Sequence, residues 1–426
     1  MRDTTGEGVA MAAARHRVDS WRERAARAPG RTPAPIRRAS PCGAFLLLAA
    51  ASFLCASRAT AAEIGSEGSL ASVEVHAFGS QGFIATTRNN YIDTNSTHGS
   101  FQFSEVGINF TKVLVDKLRF GVQLFAEDLG PTGNYNARAD WFYLDYRWQD
   151  WLGIRAGRVK IPFGLYNEIN DIDSARISVL LPQSVYPIQN RDYLLAQTGG
   201  ELYGYLRLGP LGALDYAGYA GTIFLDATNQ PGSPFQILSV NVPYLVGGRV
   251  MWETPAEGLR LGGSIQALRL DLQLLAGTQT VTVEAPVILS VGSIEYSAHD
   301  LLLAAEYSRW FVNDDSSAPA LFPSSPVVTS ERGYAMVGYR VAKWLQPGAY
   351  YSLLFPDVTH RSGRENVQHD IAATLRFDLN ANWLVKLEGH YMLGTAGVTP
   401  GLNGTTPLSA LDRDWAVFLV KTTAYF

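Results

Sequence analysis

The stretch Leu118-Arg119-Phe120-Gly121-Val122-Gln123-Leu124-Phe125-Ala126-Glu127 decides the fold. Its even-numbered side chains, Leu118, Phe120, Val122, Leu124 and Ala126, are apolar, whereas the odd-numbered row carries Arg119, Gln123 and Glu127. A repeat of two marks a β-strand whose faces meet different surroundings, because successive side chains point to opposite sides of the pleat. The rhythm recurs. Phe142, Leu144, Tyr146 and Trp148 stand against Tyr143, Asp145 and Arg147. Ile371, Ala373, Leu375 and Phe377 oppose Asp370, Thr374 and Arg376, and Val385, Leu387, Tyr391 and Leu393 oppose Lys386, Glu388 and His390. A soluble β-sandwich also alternates, but its strands average about 5 to 6 residues. The runs here match the roughly 9 to 11 residues that a tilted strand needs to cross a bilayer. In lipid every backbone N–H and C=O must be paired, so such strands require a closed barrel.

Sixteen runs can be read, at 72–86, 101–113, 118–128, 140–148, 152–161, 199–208, 213–225, 245–254, 259–270, 286–297, 300–311, 331–343, 346–356, 366–378, 383–394 and 412–426. Runs seven and ten are the least regular, which leaves fourteen and eighteen strands as alternatives. Every second connection after run two is short: 114–117, 149–151, 209–212, 255–258, 298–299, 344–345 and 379–382. The others, at 87–100, 129–139, 162–198, 226–244, 271–285, 312–330, 357–365 and 395–411, are long and rich in Gly, Pro, Ser, Asn and Asp. Short turns on one rim and long loops on the other are the asymmetry of an outer-membrane barrel. Trp148, Trp252, Trp310, Trp344 and Trp383 sit at or near run ends, where an aromatic girdle belongs.

The first 61 residues read as a leader that is removed, leaving 62–426 as one barrel. Arg37 and Arg38 precede an apolar run from Gly43 to Ala56, and Ala59-Thr60-Ala61 offers small residues for cleavage. That run is too short for a membrane helix, which needs about 20 residues. Both cysteines, Cys42 and Cys55, fall within the leader, so disulfides and thiolate metal sites are excluded from the remainder. Residues 1–62 hold 10 basic and 4 acidic side chains, leaving 25 basic and 35 acidic residues, net −10, in the rest. Such a balance argues against a nucleic-acid partner.

The end of the chain alternates from Trp415 and closes on Phe426. This resembles the C-terminal strand of Gram-negative outer-membrane proteins, whose final Phe is read by the barrel-assembly machinery. Gly157-Arg158-Val159-Lys160-Ile161-Pro162-Phe163-Gly164-Leu165-Tyr166, followed by Ser184-Val185-Tyr186-Pro187, resembles the strand-to-loop junction of porins in the phosphate-selective O/P family and its relatives. The resemblance implies a homotrimer of sixteen-stranded barrels set among outer-membrane lipid and lipopolysaccharide. Each would be a water-filled pore narrowed by an infolded third extracellular loop. Phosphate-specific members are expected to line the neck with basic residues. Here the loop carries four acids to two arginines, so phosphate preference is not carried over.

The residues lead to the same loop. Positions 162–198 exceed the usual limit of about 12 to 15 for a structureless connection. They also include Ile169, Ile172, Val179, Leu180, Leu181, Val185, Ile188, Leu194 and Leu195, which need a surface to pack on. A sixteen-stranded lumen offers that surface. Its charges, Glu168, Asp171, Asp173, Arg176, Arg191 and Asp192, are the candidate constriction residues. By alternation the wall candidates are Arg119, Glu127, Asp145, Arg147, Arg155 and Arg207, with Glu105, Glu201, Arg249, Glu253, Asp370 and Arg376. Arg158 and Lys160 break the parity of Arg155, so either a bulge turns them inward or they lie above the bilayer. Opposed charges at a narrow neck would set a field that filters ions.

Enzymatic alternatives find little purchase. There is no G-x-S-x-G elbow, H-E-x-x-H helix, Walker loop or G-x-G-x-x-G. His76, His98, His299, His360, His369 and His390 are scattered, and Asn170-Asp171-Ile172-Asp173 lacks the glycine and distal Glu of a calcium loop. The sequence therefore predicts an all-β transmembrane antiparallel barrel, an outer-membrane porin for passive diffusion of small hydrophilic solutes or ions. It would use no cofactor, no metal and no chemistry. A plugged structural or adhesin-type barrel is the alternative.

Overall fold

A computed structural model describes residues 62–64, 72–130, 133–225, 235–321 and 324–426. The expected leader, 1–61, and its cleavage site lie outside the described residues. Sixteen long strands run in chain order. They are β1 (Val73–Thr86), β2 (Phe103–Val115), β3 (Leu118–Leu129), β4 (Arg138–Gln149), β5 (Leu152–Lys160), β6 (Ala196–Arg207), β7 (Ala213–Thr222) and β8 (Leu245–Glu253), followed by β9 (Leu259–Ala276), β10 (Gln279–Ala298), β11 (Leu301–Ser316), β12 (Ser325–Tyr339), β13 (Leu345–Phe355), β14 (Gln368–Asn380), β15 (Trp383–Gly394) and β16 (Asp414–Tyr425). Each pairs antiparallel with its sequence neighbour. β16 returns to β1, with Val417 opposite Thr86 and Tyr425 opposite Phe78, so the sixteen-strand sheet closes on itself. Phe426 completes this seam: its N–H donates to the Ala77 carbonyl at 3.0 Å, and its carbonyl accepts from Ala77 at 3.1 Å.

Closure explains why apolar side chains can face outward. Phe120, Leu124, Phe142, Leu144, Ile154, Val250, Ile265, Ile294, Leu303, Ile371, Leu375 and Phe418 each leave over a third of their surface uncovered. Such a belt is stable only against acyl chains. Trp148, Trp151, Trp252, Trp344 and Trp383 stand beside the short turns. Trp252 and Trp383 donate their indole N–H groups to the Leu211 carbonyl and the Thr422 hydroxyl, the amphipathic behaviour expected at headgroup level. The turn between β10 and β11 consists of His299 and Asp300, both left-handed (φ 53° and 65°), the geometry that matches strand twist in two-residue hairpins.

Three long connections differ from expectation. Where 271–285 reads as a loop, β9 and β10 continue to a two-residue turn at Gly277 and Thr278, with Asp271 paired to Glu284 and Ala276 to Gln279. Likewise β11 extends to Ser316 and β12 begins at Ser325, and the 226–244 connection contains a short strand, Phe235–Asn241, paired with β9. Above the membrane the outward row no longer meets lipid. Thr280, Thr282 and Glu284 can then be polar, while Val281, Val283 and Ala285 on the inward row stay buried.

Candidate functional site in the barrel interior

The connection between β5 and β6 is built of short 3-10 turns at Asn167–Ile169, Asp173–Ala175 and Ile188–Asn190, then a one-turn helix Arg191–Leu194. Its two ends are clasped by Asn167, whose amide donates to the carbonyls of Ile161 (2.8 Å) and Leu194 (2.6 Å). Phe163, Tyr166, Ile169, Leu181, Val185 and Tyr186 form one apolar cluster with Val287, Leu289 and Val291, the inward row of β10. Val179 and Leu180 join a second cluster with Met392, Trp415 and Leu419 of β15 and β16. Thus a wall that alternates with apolar residues on both faces receives the apolar side of the loop.

The polar side is bonded to strands around the barrel. Asp173 is the densest node: it pairs with Arg176 at 2.7 Å, Lys421 at 2.9 Å and Lys386 at 3.8 Å, and accepts from the Thr423 hydroxyl at 2.7 Å. Lys386 also donates to the carbonyls of Asp173 (2.8 Å) and Ser178 (2.9 Å), and Glu388 accepts the N–H groups of Val179 (2.6 Å) and Leu180 (2.9 Å). Arg376 donates to the carbonyls of Ser174 and Arg176. On the opposite side Asp171 takes Lys160 (2.6 Å) and Gln123 (2.7 Å), and Arg191 grips Asp140 through both terminal nitrogens at 2.9 and 2.8 Å. Glu306 receives the hydroxyls of Tyr186 and Tyr334 and the Leu165 N–H.

Burial pushes the loop carboxyls up, but their cations win. Lys421, Arg176 and Lys386 hold Asp173 well below the usual carboxylate range. Lys160 and Arg191 lower Asp171, and Arg249, Arg155 and Lys160 lower Glu168. Burial and the adjacent Glu306 raise the Tyr186 hydroxyl well above its ordinary value.

The wall candidates fall into pairs. Arg119 meets Asp145 at 2.7 Å. Arg155 meets Glu201 at 2.8 Å and Asp145 at 3.5 Å while lying over the Tyr203 ring, 4.1 Å from its centroid. Glu127 binds Arg138 at 2.7 Å. Arg147 and Arg207 lie at the short-turn rim and share Asp150 at 3.3 and 3.9 Å. Arg158 shares the outward row of Phe142, to which it is paired, and donates to the Asp140 carbonyl at 2.8 Å. The bulge expected near it is in β4, where Asp140 is the extra residue opposite β3. β5 instead bends at Gly157 (φ +136°), where a Cβ would stand 2.4 Å from the Phe142 carbonyl oxygen. Lys160 reaches the loop from the end of the strand. The side chain of Asp192 lies outside the described ones.

The charges on and around the loop do not keep equal contact with solvent. The side chains of Asp171, Asp173, Lys386 and Lys421 retain 0, 2, 0 and 1% of their surface, whereas Glu168, Arg249 and Asp215 retain 18, 14 and 22%. Alternation alone points Lys421 and Asp215 inward, but nothing local pairs them with the loop, and Asp140 is displaced by a bulge that alternation does not anticipate. Among the described residues no group of His and acidic side chains is arranged to hold a metal ion.

No protein-family profile matches the chain, and no curated relative matches it. Among solved structures, the outer-membrane expressed OmpT of Vibrio cholerae is similar over 86% of this chain and 100% of its own, at a TM-score of 0.54 and 12% identity. The anion-selective porin from Comamonas acidovorans is similar over 83% of this chain and 99% of its own, at a TM-score of 0.50 and 12% identity. At such identity the likeness establishes a shared fold, the integral barrel of outer-membrane type.

Proposed function

We propose that this chain is a porin of the Gram-negative outer membrane, a passive channel for small hydrophilic solutes or ions that performs no chemistry. The supporting observation is the barrel's inversion: its exterior is apolar, and its interior carries Arg119, Arg155, Glu201, Arg249, Glu253, Arg260 and Glu295. A dry core would not recruit so many ions, and sixteen strands leave more room than wall side chains fill. In this reading 161–195 is the infolded constriction loop, and residues 157–166 support kinship with the phosphate-selective porins without their ion preference. Three such barrels would associate among lipid and lipopolysaccharide, delivered by assembly machinery that reads the strand ending at Phe426.

A plugged structural barrel is the second reading, favoured by the near-complete burial of Asp171, Asp173, Lys386 and Lys421. Purified protein in a planar lipid bilayer separates them. Discrete conductance steps are expected, and electrical silence from correctly assembled barrels would favour the plug.

A further inference from the structure

Resting on the channel reading, we infer that the water path follows the β7–β8 side of the lumen and prefers cations, with Glu168 and Asp215 setting the preference. The loop acids most obvious in the sequence, Asp171 and Asp173, are enclosed with Lys160 and with Arg176, Lys386 and Lys421, so their charge is matched before any solute arrives. Glu168 and Asp215 differ in both exposure and stoichiometry. They share one guanidinium, Arg249, at 2.7 and 3.3 Å, and all three side chains keep contact with solvent. Arg249 also donates to the Gly164 carbonyl at 3.4 Å, which spreads its charge further.

A second observation lies behind this group. Glu201, on the inward row of β6, is 3% exposed and bonds Arg155 through Oε1, but its Oε2 has no hydrogen-bond partner. Glu201 and Glu168 lie close enough to feel each other's charge, as do Glu168 and Asp215. Arg155 is itself divided between Glu201 and Asp145. An orphan carboxylate oxygen thus stands beside two acids that share one guanidinium. Toward the short-turn rim the pattern recurs: Arg260 binds Glu295 at 2.6 Å and is opposite Glu253, again two carboxylates to one guanidinium. Arg147 and Arg207 reverse the balance around Asp150. Arg207 is 80% exposed, at the open mouth, where salt within about 8 to 10 Å screens it. At a narrow, partly dehydrated passage the solvent-exposed carboxylates act at closer range and with less screening.

The test is the reversal potential of the full barrel in a planar bilayer under a potassium chloride gradient. Wild type should favour potassium. Glu168→Gln with Asp215→Asn should lower the potassium-to-chloride permeability ratio by about twofold to fivefold, the scale of one unit charge felt at about 4 Å in water. Arg249→Gln should raise the ratio, and this opposite shift keeps the test decisive if the double variant does not assemble. A chloride-preferring wild type overturns the inference and leaves the channel intact, as does a ratio unmoved by assembled variants. A barrel that conducts nothing overturns the channel reading, and the ion preference falls with it.

Discussion

Asp173 shows how a single residue can hold a loop to a wall. It compensates three cations in a dry site, so Asp173→Ala would strip Arg176 and Lys386 of their carboxylate and leave Lys421 to Glu105 alone. Removing one partner of a buried ionic group costs about 3–5 kcal/mol. We expect a matching loss in the urea midpoint of refolded protein and a lower temperature for heat modification on gels. The pH dependence follows from the same contacts. An unfolded aspartate titrates near 3.9, and the folded Asp171 and Asp173 carboxyls are both held below that. Their contribution is complete above about pH 4 to 5 and disappears as the pH falls through the lower folded values. Tryptophan fluorescence of wild type during acid titration should show the loss in that window, and Asp173→Ala should flatten it. The charges themselves were legible in the sequence, but their partners were not. Lys386 and Thr423 lie 213 and 250 positions from Asp173, and only the closure of the barrel brings them together.

At the level of elements, period-two alternation located the membrane-spanning runs because lipid on one side and polar groups on the other impose it. It lost the strands where that contrast ends. From Asp271 to Ala276 and from Gln279 to Ala285 the ladder continues, but polar Thr280, Thr282 and Glu284 on the outward row resemble loop composition. The same physics makes the turn at Gly277 and Thr278 a free tip. Gly277 has φ +62°, and a Cβ there would meet nothing within 4 Å. A short epitope inserted between these residues should leave assembly and conductance unchanged. It should be stained by antibody on intact cells, and staining only after permeabilisation would reverse the assigned orientation. Insertion between His299 and Asp300, on the other rim, should give the reciprocal pattern. The bulge at Asp140 was not legible, because one extra residue leaves the hydrophobic count of β4 almost unchanged while turning Asp140 to Arg191.

For the whole molecule, the question is whether the β5–β6 segment behaves as part of the wall or as a gate. Its bonds reach β3, β4 and β8 through β16, so any sizeable displacement must break ionic and apolar contacts together. Cooperative anchoring of this kind argues for a segment fixed to the wall, since no one contact can yield alone. The absence of cysteine from 62–426 allows a clean test. Ser184 in the loop and Ser352 on β13 have hydroxyl oxygens 2.8 Å apart, and both are buried. A Ser184→Cys, Ser352→Cys pair should therefore form a disulfide in an oxidising medium. If the loop is fixed, single-channel steps before and after reduction will have equal size and equal open times. A larger conductance on reduction alone would instead reveal a segment that swings from the wall. The ionic network around Asp173 would then be a latch, and the wild-type steps would include a closed state populated at rest.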